Sequence, residues 1–218
     1  MDKLHQIIED LNAESTVSLN GLRRQYWVTV LTVTLVIGIV ALWVFNALGA
    51  SVRPDYFKLV QNPLIAIKQA VPFVIFLAAA PLGLLLMRPE AQLSMKILPL
   101  GLGLLIFPAL TIGTLLLMTS DLRGSAIVGN GFAGCLISIL LLSVILIAAQ
   151  MFVVRKGAVT QPIAAGAIIG IGSGAISALI YAFICTEESP AFYGFWYSIG
   201  ILLAGLTGAF IGKFTLRW

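Results

Sequence analysis

The chain has 218 residues, of which 60% are hydrophobic and only 10% charged, with a mean hydropathy of +1.04. A soluble globular domain carries about 25% charged residues, so this composition excludes that class and points to an integral membrane protein. The net charge of +4 and pI near 9.3 would suggest nucleic acid in a soluble protein; here the basic residues flank apolar runs, topology accounts for them, and no direct nucleic-acid contact is expected.

Residues 1–25 are the one stretch able to live in water. The start is acidic (Asp2, Glu9, Asp10, Glu14) and lacks a small-x-small cleavage site, so it reads as mature sequence rather than a signal peptide. Leu4, Ile7, Ile8 and Leu11 recur at the i, i+3, i+4, i+7 spacing of one helix face. The expectation is a short amphipathic helix, then a flexible connection through Ser15, Thr16, Ser18, Asn20 and Gly21 to Arg23 and Arg24. Such a helix can lie on lipid. Its polar positions are acidic, which favours a basic protein partner over anionic headgroups.

Residues 26–218 read as an all-α, polytopic membrane domain of six spans, placed at 26–48, 69–87, 97–118, 132–153, 162–184 and 194–212. An even count puts both termini on one side of the bilayer. With the N-terminus inside, the inner side holds Lys3, Arg23, Arg24, Arg88, Lys96, Arg155, Lys156, Lys213 and Arg217, and the outer side only Arg53, Lys58, Lys68 and Arg123. Both termini are therefore expected in the cytoplasm.

Small residues recur every four positions on the last two spans, as Gly166, Gly170, Gly174 and as Gly200, Ala204, Gly208, Gly212. That pattern lets backbones approach where lipid offers no hydrophobic drive for association, although glycine as ordinary filler is the plainer alternative. Pro72, Pro81, Pro99 and Pro108 fall within the second and third spans and predict kinks. Discontinuous helices can frame a transport site, yet inverted-repeat transporters pair such breaks between halves, and the last three spans show no matching internal prolines. Lys68 is expected to snorkel at the outer interface, and Asn46 and Gln150 stand near span ends, so no ionisable relay occupies a span centre.

No enzyme and no cofactor are read from these residues. The sole histidine, His5, lies in the tail, and no nucleophile and base pair up. The two cysteines, Cys135 near the start of the fourth span and Cys185 at the end of the fifth, should lie at matched depth on the outer side. Two readings stand for them: small tolerated hydrophobes, or a redox- or metal-responsive pair facing an oxidising compartment. As soft-metal ligands Cys135 and Cys185 would be weak alone; Glu187 or Glu188 could add a ligand, but a Cys or Cys/His tetrad is absent.

The run Cys185-Thr186-Glu187-Glu188-Ser189-Pro190-Ala191-Phe192, then Phe195-Trp196 and a closing Gly-x-x-x-Gly span ending Thr215-Leu216-Arg217-Trp218, resembles the C-terminal signature of the negative regulator of sigma F (NrsF) family. The resemblance extends to the acidic, aliphatic tail, the six spans and the two cysteines. It implies a six-helix anti-sigma factor of the bacterial inner membrane, holding an extracytoplasmic-function sigma factor through its tail, with Leu4, Ile7, Ile8 and Leu11 as contacts and Cys135, Cys185, Glu187 and Glu188 near the signal input. The rival from another class is a small channel or exporter, whose activity would survive loss of the tail.

Overall fold

The computed structural model describes residues 19–50, 61–89, 94–129 and 131–216. All regular structure among them is helical: α1 (Leu19–Ala47), α2 (Pro63–Leu85), a 3-10 turn (Ser94–Ile97) leading into α3 (Leu98–Leu117), α4 (Ser120–Val128), α5 (Phe132–Val154), α6 (Pro162–Ala182) and α7 (Pro190–Thr215). Six stretches are long and apolar enough to cross a bilayer. The nine-residue α4 is an additional short helix that hydropathy did not foresee.

Helix starts follow capping chemistry more closely than hydropathy. The second span begins at Pro63 rather than at residue 69 because Asn62 accepts the Leu64 amide at 3.1 Å and Pro63 takes the first helical position. Proline likewise opens α6 at Pro162 and α7 at Pro190, the latter four residues before the expected start. Pro99 stands in the first turn of α3 and is not an interior breaker, whereas Pro72, Pro81 and Pro108 are inside their helices. Asn20 and Gly21, expected in a flexible connection, belong to α1.

α6 is the centre of the bundle, with 72% of its span buried. It packs against α7, α2 and α5; α7 also meets α3 and α5, while α1 leans mainly on α5. The α6–α7 crossing is close because side chains are missing from it. A Cβ at Gly166 would run into the Gly208 carbonyl, one at Gly170 into the Ala204 carbonyl, and one at Gly212 would stand 2.6 Å from the Pro162 carbonyl oxygen. With the backbones this near, dispersion contacts accumulate along the whole seam. Gly200 lies elsewhere, its missing Cβ facing Ile139 of α5 at 3.0 Å.

The outer surface of the bundle is apolar. Leu31, Leu35, Ile39 and Trp43 on α1, Leu105 and Leu116 on α3, Leu141 on α5 and Leu206 and Phe210 on α7 are all exposed. Patches of that extent are rare on soluble monomers and need a covering phase.

Among the described residues most buried polar side chains are paired, the Thr34 and Tyr197 hydroxyls being exceptions. The Tyr26 hydroxyl lies 3.2 Å from both the Ala80 carbonyl and Gln150 Oε1, and Gln150 Nε2 donates to Ser173 Oγ at 2.9 Å. This chain of bonds ties α1, α2, α5 and α6 together. Gln150, read from the sequence as a span-end residue, is in fact buried in it.

The two ends of the bundle differ in charge. Arg23, Arg24, Arg88, Lys96, Arg155, Lys156 and Lys213 are exposed at one end. Three of them lie back over apolar rings, Arg155 at 4.4 Å and Lys156 at 5.2 Å from the Phe152 ring and Lys213 at 5.7 Å from that of Phe214. At the same end the Ala158 amide donates to the Met87 carbonyl at 3.0 Å, joining the two connecting loops. The opposite end carries both thiols.

Candidate functional site

At the thiol end, α6 finishes at Ala182 and the chain runs through Phe183, Ile184 and Cys185 to the Ser189 cap of α7. The Cys185 amide still bonds to the Tyr181 carbonyl at 3.0 Å, so the thiol rides on the last turn of the helix. Cys135 occupies the first turn of α5, the neighbour of α6. Both cysteines are free and buried, Cys135 at 0% and Cys185 at 8% exposure. They are close enough to interact electrostatically with each other and with the ring hydroxyls of Tyr181 and Tyr197. Their burial differs from the outward-facing pair that span position alone suggested.

Aromatic rings wall the thiols in. Tyr197 lies 6.5 Å from Tyr181, 6.3 Å from Tyr193 and 5.8 Å from Phe107, centroid to centroid. Its fully buried hydroxyl has the Cys185 sulfur as a weak partner and makes no hydrogen bond of ordinary geometry. A buried hydroxyl so poorly satisfied is costly.

Lys68 departs most from expectation. It is 3% exposed, and its Nζ donates to the carbonyls of Cys185 and Glu187, each at 2.8 Å. A snorkelling lysine would lead its amine to water; this one, six residues into α2, turns inward because the end of α6 supplies carbonyls that no helical amide can satisfy.

The loop between α6 and α7 is roofed by α4. Trp196 Nε1 donates to the Ile127 carbonyl at 2.8 Å, and the Trp196 ring stacks on Phe132 at 5.1 Å. Gly129, the C-cap of α4, has a φ of +53° and lies under Phe192, whose ring would be 2.5 Å from a Cβ there. Positive φ and the missing side chain both require glycine at that corner. Tyr193 Oη donates to the Leu64 carbonyl at 2.7 Å, fastening the start of α7 to that of α2.

Glu187 is half-buried and Glu188 exposed. Among the described residues no three His, Cys, Asp or Glu side chains come together as a group able to hold a metal ion. In this conformation, then, neither glutamate completes a ligand set with the thiols. The aliphatic tail positions Leu4, Ile7, Ile8 and Leu11 lie outside the described residues.

A family model described as "Negative regulator of sigma F" matches residues 17–218. The chain belongs to the NrsF family. It is 34% identical over 169 residues, 77% of this chain and 78% of the relative, to a "Probable anti-sigma-F factor NrsF" of Azospira oryzae. It is 36% identical over 90 residues, 41% of this chain and 42% of the relative, to the "Anti-sigma-F factor NrsF" of Caulobacter vibrioides. No solved structure matches the chain. The region matched to the NrsF family contains every described helix and the whole thiol cluster, and it begins after Leu11.

Proposed function

We propose that this NrsF-family chain is a membrane-anchored anti-sigma factor. Six helices embed it in the inner membrane with both termini in the cytoplasm, and the acidic amphipathic tail sequesters an extracytoplasmic-function sigma factor. Membership of the family over residues 17–218, with relatives named as anti-sigma-F factors, carries this proposal. The geometry supports it in two ways. The apolar surface suits lipid, and the exposed basic end, from which α1 leads back to the tail, has the charge of a cytoplasmic face.

Sequestration uses the aliphatic face Leu4, Ile7, Ile8 and Leu11 as a helix laid in a groove of the sigma factor. Release is driven from the other end of the bundle, where a periplasmic signal acts at Cys135 and Cys185, with Glu187 and Glu188 at the entrance. Oxidation of the two thiols to a disulfide by a two-electron oxidant from the periplasm, which takes up both electrons as two protons leave, or soft-metal binding would favour one packing of helices over another, shifting the population that holds the tail in its binding state.

The test is co-purification of the full-length protein from membranes, with bound cytoplasmic proteins identified by mass spectrometry, beside a chain lacking residues 2–20. A sigma factor recovered with the first and lost with the second is the expected result. A channel or exporter would retain its transport activity without the tail and bring down no sigma factor.

A further inference from the structure

Lys68 has no role in the function proposed above, although it is a buried cation in an apolar bundle. Taking an ammonium out of water is expensive unless hydrogen bonds replace the lost hydration, and two bonds of 2.8 Å to the Cys185 and Glu187 carbonyls do so here. These acceptors lie just past the end of α6, where the helix dipole is negative and a cation is favoured. One turn earlier on α2, the Leu64 carbonyl accepts the Tyr193 hydroxyl. The first two turns of α2 therefore grip the segment from Cys185 to Tyr193 at both ends.

We propose that Lys68 is a positioning residue for the thiol site, clamping the Cys185 backbone so that its sulfur stays buried beside Cys135 and Tyr197. The ammonium also stands near enough to interact electrostatically with the Cys135 thiol. Hydrogen bonds to a charged donor are roughly twice as strong as neutral ones, so the clamp holds the loop shut while leaving it a single side chain from release. A signal that moved α2 would expose Cys185, and a modified Cys185 would push back on α2. The assignment of a signalling role to this clamp rests on the proposed thiol input; the clamp itself does not.

The experiment measures alkylation of Cys185 by a small maleimide in membrane vesicles, in a Cys135→Ser background where Cys185 is the remaining thiol. Lys68→Met keeps the volume and loses both bonds. It should raise the labelling rate about tenfold or more, the size expected for losing a charge-assisted hydrogen bond. Lys68→Arg keeps charge and donors and should stay within a few-fold of the unsubstituted rate. Equal labelling in all three chains overturns the clamp, as does equally fast labelling of the Arg and Met variants. A measurement on the unsubstituted protein guards against misfolding of a variant: hydrogen exchange at Ile184 and Cys185, whose amides bond the Tyr181 carbonyl, should be as slow as at the end of α6, and exchange there at open-peptide rates overturns the proposal directly. Sigma-dependent transcription in strains that keep both cysteines, with and without Lys68→Met, separates the two ideas, since faster labelling of Cys185 with unaltered signalling would retain the clamp and remove the thiol input.

Discussion

Gly208 and Gly200 look alike in the sequence, both on the four-residue repeat of the last span, yet they face different neighbours. Gly208 lies on the α6–α7 seam, where a Cβ would meet the Gly166 carbonyl and stand 2.8 Å from Gly170 Cα. Backbone cannot step aside, so Gly208→Ala should cost about 1–3 kcal/mol, the range for overpacking a tight contact. Gly200→Ala meets the Ile139 side chain at 3.0 Å rather than backbone, and should cost less. Thermal unfolding of the purified variants in detergent ranks them, and equal midpoints would contradict the distinction. At Cys135 and Cys185 the expected outcome concerns signalling. Replacing both with Ser should leave folding and membrane level intact, because a hydroxyl can bond a nearby helical carbonyl. Sigma-dependent transcription, followed with and without mercuric ion, should then no longer respond; an unchanged induction would reduce the pair to packing.

α1 links the tail to the bundle, and its hold is narrow. Among its described side chains only Leu22, Tyr26, Val30 and Ala41 are buried, and Tyr26 makes polar contacts to two other helices, those with Ala80 and Gln150. Tyr26→Phe keeps the ring and removes the hydroxyl, whose single proton serves either Gln150 Oε1 or the Ala80 carbonyl, leaving that acceptor short of a donor in a dry interior. A cost of about 1–3 kcal/mol is expected, read as a lower unfolding midpoint and as faster proteolysis near residue 19. Loss of neither would show that α1 docks by apolar packing alone. The elements were legible from hydropathy because a bilayer demands about 20 apolar residues per span, a long signal. The starts of α2 and α7 were misplaced because the Asn62 cap and the first-turn prolines Pro63 and Pro190 act over one or two residues, and α4 was missed because nine mixed residues carry no such signal. Lys68 was misread for a related reason: depth along a helix is visible in sequence, whereas the direction its side chain takes depends on where another helix ends. Gln150 and Tyr26 stand 124 positions apart, and nothing local in either segment announces the other.

For the whole molecule, the proposed orientation places the end bearing Arg23, Arg24, Arg88, Lys96, Arg155, Lys156 and Lys213 inside and the thiol cluster outside. A reporter active only in the cytoplasm should work when fused after Trp218, and one active only in the periplasm should work within residues 121–129. Periplasmic activity at Trp218 would overturn the six-span arrangement. The cysteine-to-tryptophan segment was legible as a family signature, and the family match over residues 17–218 agrees with it. The burial of the thiols and their clamp were not legible, since both arise from helices distant in sequence. The most direct test of sequestration is the affinity of the sigma factor for the full-length protein in lipid nanodiscs, compared with the Ile7→Asp/Leu11→Asp variant. Burying one such side chain is worth about 1.5–3 kcal/mol, so the substituted protein should bind at least tenfold more weakly, at about 1.4 kcal/mol per decade. Binding by the variant at full strength would contradict the account.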